Sequence, residues 1–168
     1  LRQQGKYIAA RNEFLKAADL APNFFINKWN LGFLQLAMAE LPDGWSNYRY
    51  RHTVDRQIFP LPNKRLAHEL RGQTFKIAAE QGLGDQIFFS RFLSQLKNRG
   101  ATVKFQPDPK IKSLFERVEG IVVEELNEPD FSIADLPYLL GNNAVVPSVS
   151  IRPEEKARLN MLRRLSDC

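Results

Sequence analysis

Cysteine is almost missing from this chain: the one copy, Cys168, is the last of 168 residues. No internal disulfide and no cysteine-based metal site can be built from it. Histidine is nearly as scarce. His52 and His68 stand apart, neither with a carboxylate or second histidine at i+4, so no metal is expected. Long apolar runs are also absent, none approaching the roughly 20 residues that cross a bilayer. The polar, basic N-terminus is not followed by the apolar stretch of a secretion signal. A cytoplasmic chain without a membrane span is therefore expected. What remains is ordinary globular material, 43% hydrophobic and 26% charged, enough for a packed core in one domain or two small ones.

The net charge of +5 invites a nucleic-acid reading, but its distribution does not. Residues 1–43 hold five basic against four acidic side chains, and everything from 77 onward sums to −1. The excess sits in residues 44–76, as Arg49, Arg51, Arg56, Lys64, Arg65, Arg71 and Lys76 against two acids. A basic connector is expected rather than a nucleic-acid surface. It is either a seam paired with acids such as Glu40, Asp43 or Glu80, or a positive wall beside a cleft.

Apolar periodicity divides the chain. Tyr7, Ala10, Phe14 and Ala17 recur at helical spacing and predict a helix over 3–20, stopped by Ala21-Pro22-Asn23. A second helix is predicted over 25–39, with Gly32 at a close-packing position. Leu41-Pro42 ends it, and Asp43 is the expected N-cap of a third helix over 44–52. Residues 53–72, with Pro60, Pro62 and Gly72, read as a surface linker. From Thr74 strands and helices alternate. Strands are predicted over 74–80, 102–106, 120–124 and 130–134, with helices to Asn98, to Val118 and over 136–140. A strand-like run over 145–151 and a polar helix over 153–165 follow. The expected architecture is α/β: helices over 1–52, a linker over 53–72, and a parallel Rossmann-like sheet with flanking helices over 73–168.

The helical part carries a repeat signature. Gly5-x-Tyr7-x2-Ala10-x3-Phe14-x2-Ala17-x4-Pro22 resembles the second half of a tetratricopeptide unit, and Leu31-Gly32 falls at the Leu-Gly position of the next. That second unit departs from the pattern, with Gln35 for the usual aromatic and Ala39 where glycine would begin the turn. The first half of the first unit is missing and the chain opens on Leu, so a piece of a longer protein is expected. Such repeats imply a protein or peptide partner, and unpaired repeat helices imply self-association.

The string Phe75-Lys76-Ile77-Ala78-Ala79-Glu80-Gln81-Gly82-Leu83-Gly84-Asp85 places a Gly-x-Gly turn between a strand and a helix. The third glycine of a dinucleotide fingerprint is lacking, and Asp85 at a helix start would repel a pyrophosphate. No cofactor is called for. The longer run from Glu80 to Phe92, with Gly44-Trp45-x2-Tyr48-x-Tyr50-Arg51 before it, resembles bacterial proteins that join tetratricopeptide repeats to a glycosyltransferase family 9 (heptosyltransferase-like) domain. The resemblance covers about residues 5–141. It implies a GT-B fold, whose N-terminal half takes the acceptor and whose C-terminal half takes the sugar nucleotide. It also implies Asp85 as catalytic base and Glu80, Gln81, Gly82, Leu83, Gly84 and Arg91 around the substrate. An ionised carboxylate is suited to remove the proton of an attacking hydroxyl. Asp85 as a helix cap alone is the competing role, and Phe88, Phe89 and Phe92 read as core.

No room remains after residue 141 for a second Rossmann-like domain. The expected function is the acceptor-side half of a repeat-linked transferase, inactive alone. The alternatives are a non-catalytic interaction module and a small nucleotide-binding α/β domain.

Overall fold

The computed structural model describes residues 5–54, 59–80, 82–141 and 146–154, the side chain of Val54 excepted. Helices α1 (Tyr7–Leu20), α2 (Phe25–Ala37) and α3 (Leu41–Tyr48) pack in succession, and a single turn, α4 (Arg51–Val54), follows. Asn27 Nδ2 donates to the Phe14 carbonyl at 2.9 Å and Arg11 pairs with Glu40 at 2.9 Å, tying α2 and the residue before α3 to α1. Helix α3 begins before the predicted point. Pro42 lies in its first turn, where a missing N–H costs no hydrogen bond, and Glu40 rather than Asp43 precedes it as cap.

Helices α2 and α3 meet almost backbone to backbone. A Cβ on Gly32 would stand 2.5 Å from the Tyr48 nitrogen, and one on Gly44 would stand 2.8 Å from the Leu36 side chain. Helices α1 and α3 start 34 residues apart, each two residues after a left-handed backbone position, Gly5 at φ 72° and Ala39 at φ 60°. Gly5 takes that conformation freely, whereas Ala39 adopts it against its Cβ.

The second part is a parallel sheet of β1 (Thr74–Ala78), β2 (Thr102–Gln106), β3 (Ile121–Val123) and β4 (Phe131–Ser132), in the order β3-β2-β1-β4. The fold class is thus α/β, as the alternation implied. Helix α5 (Leu83–Asn98) links β1 to β2, and α6 (Lys112–Phe115) lies between β2 and β3. A 3-10 turn over Ile133–Asp135 runs from β4 into α7 (Leu136–Leu139). Phe75, Ile77, Val103 and Phe105 face the core with Leu93, Leu96, Phe115, Ile133 and Leu136. Thr74, Lys76 and Thr102 alternate with them and are exposed, so one sheet face carries the core.

Trp45 of α3 stands edge-on to Phe89 and Phe92 of α5, with ring centroids 6.1 and 6.4 Å apart, joining the helical part to the sheet part. Leu70, in the segment read as linker, is buried in the same core, and its N–H donates to the Arg99 carbonyl at 2.7 Å. Of the predicted strand-like run over 145–151, the described residues, 146–151, contribute one antiparallel bridge, Ile151 to Val118. The predicted C-terminal helix falls on residues outside the described ones beyond 154. Among the described residues no helix is long and apolar enough to cross a membrane.

Candidate functional site

In this strand order the chain runs outward from β1 through β2 to β3, then returns to the other side of β1 with β4. Open α/β sheets take ligands at such a reversal, in the crevice beyond the carboxyl ends of the strands. Glu80 follows β1 there, Ser132 ends β4, and Asp135 follows it.

Here the crevice is filled by the chain itself. Arg51 of α4 donates from Nε to Glu80 Oε1 and from Nη2 to Glu80 Oε2, both at 2.6 Å. The same Nη2 reaches Asp135 Oδ1 at 2.7 Å. His52 Nε2 donates to the two Asp135 oxygens at 2.8 and 3.0 Å, and the Ser132 hydroxyl donates to Glu80. The Arg51, His52, Glu80 and Asp135 side chains are each at most 2% exposed. Burial alone would lower the Arg51 pKa, but the Glu80 hydrogen bond and the charges of Asp135 and Glu80 outweigh it and hold it above the ordinary value. The Tyr48 ring lies under the guanidinium, 4.8 Å away. Two buried polar atoms, Arg51 Nη1 and His52 Nδ1, have no hydrogen-bond partner among the described residues.

Beside this plug, between the ends of β1 and β2, lies a cavity of about 380 Å3 lined by Ala78, Ala79, Glu80, Gln86, Gln106, Pro107 and Asp108. Gln86 is buried on the first turns of α5, and its Oε1 accepts the Asp108 N–H at 2.9 Å. Gln106 Oε1 accepts the Leu126 N–H at 3.1 Å.

The residues predicted for the site divide. Gly82 is the N-cap of α5 in an extended conformation, and Asp85, at the third helical position, accepts the Gly82 N–H at 3.2 Å. The carboxylate is exposed, as are Gly82, Leu83 and Gly84. Glu80 is not beside them in solvent but buried in the Arg51 pair. Arg91 stacks over Phe88 at 4.4 Å and donates to the Phe88 and Val146 carbonyls, pinning residue 146 to α5. Phe89 and Phe92 are core, while Phe88 is 43% exposed. Gln81 lies outside the described residues.

Sequence reasoning missed Arg51, His52 and Asp135 as one cluster. The available signal was the local charge excess of residues 44–76 set against acids at strand ends, which named Glu80 as a partner without naming its arginine.

No protein-family model matches the chain, and no solved structure matches it. A stretch of 65 residues is 34% identical to Protein FlbA of Caulobacter vibrioides, covering 36% of this chain and 11% of FlbA. The chain therefore matches about a tenth of the length of that curated relative.

Proposed function

We propose that this chain is the acceptor-side part of a repeat-linked, glycosyltransferase-like protein, with Asp85 as the base that activates an acceptor hydroxyl. The observation that carries this is the bare loop at the head of α5. Neither Gly82 nor Gly84 has positive φ, and a Cβ on Gly84 would meet nothing within 4 Å. Backbone conformation therefore does not demand these glycines. Absent side chains beside an exposed carboxylate, at the carboxyl edge of a parallel sheet, suit the close approach of a ligand. The cap that Asp85 forms with Gly82 orients the carboxylate and is compatible with proton abstraction.

The tetratricopeptide reading draws support from the 34-residue phase between α1 and α3 and from Ala39, left-handed where the repeat pattern calls for glycine. Ile8, Leu20 and Phe24 on this part are 70%, 87% and 60% exposed, which favours a protein partner for the helices as an additional role.

The test is a titration of the isotope-labelled full chain with methyl α-D-glucopyranoside and, separately, with uridine diphosphate, read at the backbone amides of Gly82, Gly84 and Asp85. The glycoside is expected to move these signals. Tighter binding of the nucleotide at this loop would overturn the acceptor-side reading in favour of a nucleotide-binding domain.

A further inference from the structure

We infer that the cavity between the ends of β1 and β2 is a binding site for an uncharged, polyhydroxylated ligand, read by the side-chain amides of Gln86 and Gln106 and by the Asp108 carboxylate. This deepens the acceptor-side reading and rests on it for what happens to the ligand, though not for the ligand's chemistry.

The strand-order reversal beside β1 is the ordinary ligand crevice of an open α/β sheet, and here Arg51 and His52 occupy it. The free volume is displaced by one strand, to the β1/β2 side, where about 380 Å3 is open. That volume falls within the range of small-molecule sites, about 300–1,000 Å3.

The polar groups there have fixed roles. A backbone N–H can face only the oxygen of a side-chain amide, so the Asp108 N–H orients Gln86 and the Leu126 N–H orients Gln106. Each glutamine therefore keeps its Nε2 group, a double donor, without a partner among the described residues. Asp108 adds an acceptor; its Oδ1 also takes the Lys110 N–H at 2.8 Å. Two oriented amide donors and a carboxylate acceptor in one cavity match hydroxyl groups, each of which donates once and accepts twice.

Charge selects against the anionic alternative. The lining holds two carboxylates, Glu80 and Asp108, and no basic side chain. Glu80 is paired with Arg51, whereas Asp108 forms no ion pair among the described residues and leaves a carboxylate in the lining. A phosphate entering it meets repulsion rather than a cradle.

The experiment reads the side-chain amide signals of Gln86 and Gln106 in the labelled full chain. The probes are methyl α-D-glucopyranoside and glucose 6-phosphate. The glycoside is expected to move both signals, and the phosphate to bind at least about tenfold more weakly through like-charge repulsion. Gln106→Leu and Gln86→Leu are each expected to lose the response. The wild-type signals alone decide the matter should Gln86→Leu fail to fold. Unmoved side-chain amides, or glucose 6-phosphate binding as tightly as the glycoside, would overturn the inference. Movement of the Gly82–Asp85 backbone without the glutamine amides sinks this site and spares the acceptor-side reading. The reverse pattern supports this site and removes Asp85 from it.

Discussion

Tyr48 packs beneath the Arg51 guanidinium and is 7% exposed. Its phenol is pushed up to about 12, chiefly by burial; Arg51 opposes the shift, and Glu80, Asp85 and Asp135 reinforce it. An unfolded tyrosine ionises near 10, so the folded state favours the neutral phenol. That contribution is complete below about pH 10 and is lost as pH rises through about 12. For so buried a group the shift corresponds to roughly 3 kcal/mol. Phenolate absorbance is expected to show a late phase that Tyr48→Phe removes. Urea stability of the native chain should fall more steeply than that of the variant over the same alkaline window. A variant titrating like the parent would show that Tyr48 is not the late group. The residues around Tyr48 also mark where sequence reasoning stopped. His52 looked isolated because its neighbours at helical spacing offer nothing, yet its partner Asp135 lies 83 positions away. No local pattern encodes a pairing of that range, which exists only once β4 has returned beside β1.

Elements were more legible than contacts. Strand β2 falls on the predicted residues and α5 ends where expected, because alternation and a terminal glycine are local signals. The start of α3 was not legible, since Leu41-Pro42 serves equally as a stop and as a first turn. The close-packing role read for Gly32 is met in the structure, and it makes a sharp prediction. Gly32→Ala places a methyl 2.5 Å from the Tyr48 nitrogen, and backbone cannot rotate away. The expected cost is about 1–3 kcal/mol, the range for overpacking, despite the better helix propensity of alanine. Gly84→Ala is the control. It meets open space within α5 and should stabilise by up to about 1 kcal/mol, because only the propensity term operates. Urea midpoints at constant slope measure both. Equal shifts in the two variants would show that the α2–α3 approach is looser than described.

At the scale of the molecule, the question is whether the helices and the sheet are one cooperative unit. Arg51, of α4, enters the sheet part and joins Glu80 to Asp135. Trp45 adds an apolar contact against Phe89 and Phe92. Removing one partner of a buried ion pair leaves an uncompensated charge, a cost of about 3–5 kcal/mol. Trp29 lies within the helical part and Trp45 against α5, so fluorescence read from Trp29 in a Trp45→Phe background reports unfolding of the helical part, whereas far-ultraviolet dichroism reports both parts. With Arg51 in place the two probes should give coincident urea transitions. In Arg51→Met, Glu80 and Asp135 lose the guanidinium that joins them. The sheet should then loosen first, and the dichroism midpoint should fall below the fluorescence midpoint. Adding Glu80→Gln to Arg51→Met removes one of the stranded charges and should recover part of the loss. Coincident transitions in Arg51→Met, lowered together, would mean that the aromatic contact alone joins the parts. An unchanged midpoint would mean that the buried cluster contributes nothing to their union.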